Sequence, residues 1–167
     1  MKKLIIVVAG DFNNHSFAHI IKADINSLGE EFKRKRLQDI LIYSSTDENN
    51  VKTAEIINKY LETECFQDEE ILFTKNMKLA TKDKVSIVMD YLLIPSHSSE
   101  TVILVVNVNY ATDLVLACAD LYIQKKLDFE KSLMQSCDAM VIDLEHKTFY
   151  KMIIRTSSFN KFSHKLY

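Results

Sequence analysis

The chain has 167 residues, of which 47% are hydrophobic and 26% charged, so it is long enough to bury a substantial core. Its net charge is −2 and its pI is about 6.2, which argues against nucleic acid or an anionic membrane as a partner, because both need a concentrated excess of lysine and arginine. With only 2 glycines and 1 proline, no flexible linker is expected, and residues 1–167 are interpreted as a single domain.

The apolar start of the chain, residues 3–9, superficially resembles a signal peptide. It ends early, at Asp11, and no small-residue cleavage site follows, so a buried parallel strand explains it better. The most apolar later stretch, 102–119, is broken by two asparagines and an aspartate, which argues against a membrane span. The three cysteines have no CxxC spacing and are odd in number, which predicts reduced thiols in a cytoplasmic protein without a metal site or disulfide framework.

The predicted elements alternate between strands and helices through most of the chain. Continuous β-branched runs indicate buried strands, and apolar residues at helical spacing indicate helices. In chain order they are a strand at 3–9, a helix capped by Asn26, a strand at 40–44, a helix around 54–61, a strand at 71–73, a helix at 85–93, a strand at 102–106, a helix at 114–122, and a hairpin of 139–144 with 148–154. This order predicts an α/β fold: a three-layer α/β/α sandwich around a mainly parallel sheet, with the hairpin as its C-terminal antiparallel edge.

In such sheets, ligands bind at the carboxyl ends of the strands. Those ends fall at residues 8–11, 44–47 and 107–109, which carry carboxylates, amides and hydroxyls but no arginine, lysine or histidine. A phosphate group needs cationic or N–H donors, so only backbone amides at helix N-termini remain for it.

Two short motifs follow one another in the second strand and the helix after it. Residues 43–45, Tyr-Ser-Ser, and 53–55, Thr-Ala-Glu, resemble the second signature of the histidine phosphatase superfamily, which runs from a strand through a loop with a phosphate-binding arginine into a helix. The other signatures are similar in order and spacing to residues 8–10, 25–29 and 107–109. The short chain and its terminal hairpin look most like the phosphohistidine phosphatase branch, which is SixA-like. The resemblance implies a phosphoglycerate mutase-like fold.

The side chains with which that superfamily transfers phosphate are absent from the matching positions. The resemblance places its nucleophilic histidine at Ala9 and the adjacent arginine at Val8. It places the second arginine at Asn49 and the second histidine at Val108. Alanine has no lone pair with which to attack phosphorus, and without guanidinium groups nothing clamps the phosphoryl oxygens. The resemblance therefore implies a degenerate member, a pseudophosphatase acting as a protein- or ligand-binding module.

A vestigial pocket is expected around the replaced positions. Its base would be apolar and its lip lined by amides, which suits a neutral ligand or a protein partner better than phosphate. We expect no cofactor, no metal, no nucleic acid and no membrane partner, and a monomer or weak homo-oligomer. The residues of this pocket are Gly10, Asp11, Asn13, His15, Ser45, Asn107 and Asn109.

Two other interpretations stay open. An active phosphatase or hydrolase would need a relocated site, for which Asp11, His15 and Asp47 are the candidates, with His15 as the nucleophile. Asp11, Asp47 and Glu48 also form an acidic rim suited to a divalent cation, although Asp47 or Glu48 fits the N-terminus of the following helix more readily. A receiver-like or flavodoxin-like domain is the other alternative, but the lysine that a receiver needs is missing after Val106.

Two basic segments each have a structural and a functional interpretation. Residues 33–36, Lys-Arg-Lys-Arg, resemble a polyanion-binding patch. They lie in an amphipathic helix after Glu30 and Glu31, which favours a solvated face with local ion pairs. Residues 157–167 alternate aromatic and basic side chains and suit either a docking peptide or a segment laid against the domain.

Overall fold

Six strands form one sheet within the residues that the computed structural model describes, which are 1–13, 15–67, 99–127, 133–152 and 154. The strands are β1 (Lys3–Val8), β2 (Ile40–Ser44), β3 (Glu64–Gln67), β4 (Thr101–Val106), β5 (Ala139–Asp143) and β6 (Thr148–Met152), and the α-helices are α1 (Ala18–Arg34), α2 (Glu48–Leu61) and α3 (Val108–Cys118). The strand order is β3-β2-β4-β1-β5-β6. The first four are parallel and the last two antiparallel, which confirms the mainly parallel sheet with its C-terminal edge hairpin.

The two faces of the sheet are covered by different helices. Alternate residues of β1 point to opposite faces: Ile5 and Val7 pack with the apolar residues of α1 and α2, whereas Leu4 and Ile6 pack with those of α3. All four are at most 1% exposed. A strand buried on both faces must be apolar at every position, which explains its continuous β-branched sequence and confirms the three-layer architecture.

Helix α1 begins earlier than the sequence predicted. The expectation that Asn26 caps this helix is wrong, because α1 starts at Ala18 and Asn26 lies inside it. The helix has no side-chain cap; its N-cap residue is Phe17. Buried Ile25, Leu28 and Phe32 share one face, and Gly29 between them allows a close approach to α2, since a Cβ there would lie 2.5 Å from Tyr60 Cδ2.

The third strand also differs from the prediction. Strand β3 pairs with β2 at residues 64–67, where no strand was expected, because its sequence Glu-Cys-Phe-Gln gives no apolar run. The predicted strand at 71–73 and helix at 85–93 lie outside the described residues. Helix α2 begins at Glu48, so the Thr-Ala-Glu motif at 53–55 lies in its second turn rather than at its start.

Helix α3 continues into a π-helical turn, Ala119–Ile123. It packs mostly apolar residues against the sheet, among them Cys118, whose burial raises the pKa of its thiol to about 12. Such a thiol is unreactive at neutral pH. All three cysteines are free, and every helix of the described residues is too short or too polar to cross a lipid bilayer.

Candidate active-site face at the carboxyl ends of the strands

Strands β1 and β4 end side by side, and a third segment closes on them. Val8 pairs with Val106, and the Ala9 N–H donates a 2.8 Å hydrogen bond to the Val106 carbonyl. The Cys137 N–H donates to the Val8 carbonyl at 3.1 Å, and Ser136 Oγ donates to the Ala9 carbonyl at 3.2 Å. The backbone at Val8 and Ala9 is therefore enclosed by the segments before α3 and before β5.

The loop after β1 is tied to helix α2 by two hydrogen bonds. The buried Gly10 N–H donates to Thr53 Oγ1 at 3.0 Å, and the Phe12 N–H donates to Asn49 Oδ1 at 3.1 Å. Backbone N–H groups in such a loop are the donors with which an anion is usually held. Here side chains of α2 already occupy both of them, so these amides have no free hydrogen for a ligand.

The ring of Phe12 fills the space beneath this loop. It is 7% exposed, packs among the apolar residues between α1, α2 and the sheet, and lies 4.5 Å from the Lys52 ammonium in a cation–π contact. Gly10 has no room for a side chain, because a Cβ there would lie 2.4 Å from Ile21 Cγ2 and 2.8 Å from Ile25 Cδ1. The Lys52 ammonium is thus placed against the aromatic ring of this loop.

Of the three described helices that begin at this face, α2 and α3 are capped by a side chain and α1 is not. Asp47 Oδ1 accepts a 3.0 Å hydrogen bond from the Asn49 N–H at the start of α2, and Asn107 Oδ1 accepts one of 3.0 Å from the Tyr110 N–H at the start of α3. This confirms the interpretation of Asp47 as a residue that stabilises the start of α2. No group of three or more metal-ligating side chains occurs among the described residues.

Ser45, predicted to line the pocket, is buried beneath α2. It is 1% exposed, and its Oγ accepts a hydrogen bond from Asn50 Nδ2. Ser44 Oγ and Asn50 Oδ1 are buried beside the sheet without a hydrogen-bond partner. The hydroxyls of the Tyr-Ser-Ser motif therefore face the interior of the protein rather than a cavity open to ligands.

The other predicted site residues lie on the surface of this face. Asp11 is exposed and accepts a 3.1 Å hydrogen bond from the Asn13 N–H. His15 is exposed too, and no hydrogen bond joins it to Asp11 or Asp47. Asn109 is exposed on the first turn of α3. The structure therefore brings the three candidates for a relocated site to one face without joining them into a dyad or triad.

Exposed apolar side chains are prominent at the same end of the sheet. Phe17 before α1 is 47% exposed, Val108 at the start of α3 is 43% exposed, and Leu133 before β5 is 46% exposed. Val108 thus lies at the surface and not at the base of a pocket. Sequence reasoning missed Phe12, for which the available signal was a single phenylalanine in the otherwise polar loop 11–16.

Solved structures with this architecture include a phosphoglycerate mutase and phosphatases. A phosphoglycerate mutase from Plasmodium falciparum is 16% identical, with 92% of this chain and 91% of that chain covered and a TM-score of 0.56. The SixA structure from Agrobacterium tumefaciens is 15% identical, with 91% and 98% covered and a TM-score of 0.58. This chain has the phosphoglycerate mutase-like fold. A mycobacterial glucosyl-3-phosphoglycerate phosphatase in complex with VO3 is 12% identical, with 94% and 100% covered and a TM-score of 0.58.

These likenesses extend over nearly the whole of each chain, so the topology that the sequence motifs implied is confirmed. The neighbours include a mutase and phosphatases at similar TM-scores, and SixA does not stand apart from them. No protein-family profile and no curated protein sequence matches the chain. At 10–16% identity the likeness establishes the fold, and activity has to be argued from the site itself.

Proposed function

We propose that this protein is a pseudophosphatase: a phosphoglycerate mutase-like domain that does not transfer phosphate and instead binds a protein through the carboxyl-end face of its sheet. The observation that carries the proposal is the bonding of the loop after β1. Two of its amides, at Gly10 and Phe12, donate to α2 side chains, at Thr53 and Asn49, and the ammonium of Lys52 lies against the Phe12 ring.

The chemistry of the replaced positions supports the loss of activity. By the resemblance in sequence, Ala9 stands where the superfamily has its nucleophilic histidine, and Val8 where it has an arginine. Val8 is fully buried in the core, so its side chain does not reach a ligand. Covalent transfer needs a nucleophile with a lone pair, and charge developing on the phosphoryl oxygens needs fixed donors. Neither is present at these two positions.

Asn49 and Val108 add to the same conclusion. Asn49, at the position of the second arginine, uses its carbonyl oxygen to hold the Phe12 N–H and so stabilises the loop rather than a ligand. Val108, at the position of the second histidine, presents an apolar side chain to solvent. One position has become part of the scaffold and the other part of the outer surface.

The surface chemistry of the face indicates the kind of partner. Exposed Phe17, Val108 and Leu133 offer apolar contacts, and exposed Asp47 and Glu48 at the start of α2 offer negative charge at the same end of the sheet. Aromatic and aliphatic anchors with a polar rim are typical of protein interfaces. A polypeptide that carries apolar and basic side chains is the partner that fits.

The catalytic half of the proposal is tested by turnover. Purified protein is incubated with p-nitrophenyl phosphate and with a phosphohistidine peptide, and release of product is compared with that by His15→Ala and Asp11→Asn variants. We expect all three proteins to give the buffer rate. Turnover by the wild-type chain that is lost in His15→Ala or Asp11→Asn would show the relocated active site and overturn the proposal.

The binding half is tested by site-specific photo-crosslinking in cells of the source organism. A photoreactive amino acid at Val108 is expected to capture a defined protein, and a second substitution, Phe17→Asp, is expected to abolish that capture. A probe at Leu121, which is 37% exposed on the π-helical turn after α3, is the matched control. The same proteins captured at both sites, or capture unchanged by Phe17→Asp, would contradict a docking role for this face.

A further inference from the structure

The opposite end of the sheet gathers positive charge around a cavity. At the amino ends of β1 and β4, a cavity of about 210 Å³ is lined by four cations and two carboxylates, together with Leu37 and polar side chains. The cations are Lys2, Lys3, Lys35 and Arg36, and the carboxylates are Glu100 and Glu145. A concentration of positive charge is notable in a chain whose net charge is −2.

Two of the four cations form direct ion pairs and two do not. Lys2 Nζ lies 2.6 Å from Glu100 Oε1, and Lys35 Nζ lies 3.8 Å from Glu31 Oε1. Lys3 and Arg36 have no ion pair or side-chain hydrogen bond with the described residues. The cavity therefore presents a guanidinium and an ammonium that are free of direct ion pairs, the ammonium of Lys3 lying within the electrostatic reach of Glu100 and Asp143.

The ordinary role of basic residues at a helix end explains only part of this arrangement. Lys35 and Arg36 follow the last turn of α1, where cations favour the helix dipole. Arg34 serves the solvated face, since its guanidinium binds both carboxylate oxygens of Glu31 at 2.8 and 2.7 Å. Lys2 and Lys3 come from the start of β1 and cannot serve that dipole.

The backbone at Arg36 adds a second observation. Its φ is 49°, in the left-handed region that favours glycine or asparagine where a helix ends. An arginine there costs some stability relative to glycine, as do the five other non-glycine residues with positive φ in the described part of the chain. The Arg36 side chain lines the cavity.

We propose that this cavity, the amino-end cavity, binds a small anion that carries a phosphate or diphosphate group, without covalent chemistry. Phosphate carries close to two negative charges at neutral pH and accepts several charge-assisted hydrogen bonds. Arg36 supplies a planar pair of N–H donors, and Lys3 supplies a point charge. The volume admits a small molecule and excludes a folded macromolecule.

The test is calorimetric titration of the full chain with inorganic pyrophosphate at low and at physiological ionic strength. We expect saturable binding that weakens with salt, and a loss of about tenfold in affinity for each of Arg36→Gln and Lys3→Gln. Glu145→Gln removes an opposing carboxylate from the lining and is expected to strengthen binding several-fold. Lys33→Gln is the matched control, because this lysine is exposed on the same helix and does not line the cavity.

Several results would overturn the proposal. One is the absence of saturable pyrophosphate binding. Another is an equal loss of affinity in Lys33→Gln and Arg36→Gln, which would show that the overall positive charge of the surface attracts the anion and that no specific site binds it. Arg36→Gly keeps the left-handed backbone favourable and is expected to lose affinity as Arg36→Gln does, so a folding defect is separable from lost contact. Amide NMR distinguishes the two ends of the sheet: pyrophosphate that shifts Gly10 and Phe12 would contradict the pseudophosphatase proposal, whereas shifts at Lys3 and Arg36 support the amino-end cavity.

Discussion

The two ends of the sheet use their polar groups in opposite ways. At the carboxyl end, where phosphoglycerate mutase-like sheets would place a ligand, the Gly10 and Phe12 amides are bonded to α2 side chains and Lys52 lies on a ring. At the amino end, Lys3 and Arg36 line a cavity and form no ion pair or side-chain hydrogen bond with the described residues, although Glu100 and Asp143 lie near enough to attract Lys3. The comparison shows that a fold fixes where strands end, while individual side chains decide which end has free donors for an anion.

The largest effect on stability is expected from removing the buried ring of Phe12 at the carboxyl end of the sheet. Phe12→Ala removes a buried ring and leaves a cavity, so the free energy of unfolding should fall by about 3–5 kcal/mol, measured by urea denaturation. Phe17→Ala is the control, because that ring is 47% exposed and its loss should change stability by less than about 1 kcal/mol. Equal losses for the two variants would mean that Phe12 does not fill this end of the core.

The hydroxyl of Thr53 gives the next largest effect. Thr53→Val keeps the shape of the side chain but leaves the buried Gly10 N–H without an acceptor, which should cost about 1–3 kcal/mol in the same experiment. Thr53→Ser keeps the acceptor and should retain more of the stability. Thr46→Val, at an exposed position, should be close to neutral. A neutral Thr53→Val would leave the Gly10 amide available to a ligand and so break the contrast between the two ends.

Two asparagines near the start of α3 should differ in their contribution to stability, because only Asn107 caps the helix. Asn107→Ala removes the acceptor of the Tyr110 N–H and should lower the free energy of unfolding by about 1 kcal/mol. Asn109→Ala changes an exposed side chain with no such bond and should alter stability by less than about 0.5 kcal/mol. Thermal denaturation of both variants checks this, and the reverse order would refute the assignment of Asn107 as a cap.

The smallest effect on stability is expected from Asp143, in the hairpin formed by β5 and β6, and it should depend on pH. Burial opposes ionisation of Asp143, but hydrogen bonds from the His146 N–H and ring outweigh it and lower the pKa of that carboxyl. A lowered folded-state pKa contributes stability that is present above the unfolded value, near pH 4, and is lost as the pH falls through the folded value.

The measurement is the free energy of unfolding of wild type and Asp143→Asn between pH 7 and pH 2. The variant should be less stable by up to about 1 kcal/mol at pH 7, and the difference should shrink below about pH 4. Asp113→Asn, at an exposed position, is the control. A difference independent of pH would mean that the ionised carboxylate of Asp143 does not carry the effect.

The sequence was sufficient for the sheet but not for its edge or its helix starts. β1 and β4 are buried on both faces, so their sequences are apolar without interruption and were predicted within about two residues at each end. β3 has no such signal because most of its residues are exposed. The start of α1 was predicted wrongly because asparagine is a good N-cap residue. The apolar face of the helix continues on the N-terminal side of Asn26 to Ile21.

The candidate site was predictable in position and only partly in chemistry. The order of the motifs located Ala9 and Asn49 near the strand ends, but side-chain bonding such as that of Phe12 to α2 depends on tertiary contacts between segments 37 residues apart. The amino-end cavity was even less predictable from the sequence. Residues 2–3 and 35–36 each look like ordinary surface lysines and arginines, and only the fold brings them together.

The most direct test of the pseudophosphatase proposal is a titration of the isotopically labelled protein with tungstate, followed by the amide resonances of Gly10 and Phe12. Bonded to Thr53 and Asn49, these amides should keep their chemical shifts at millimolar tungstate, whatever happens at the amino-end cavity. Saturable shifts at both amides in the micromolar range would show that the carboxyl end still accepts a phosphoryl-like anion, and would contradict the claim that this face has lost its phosphate site.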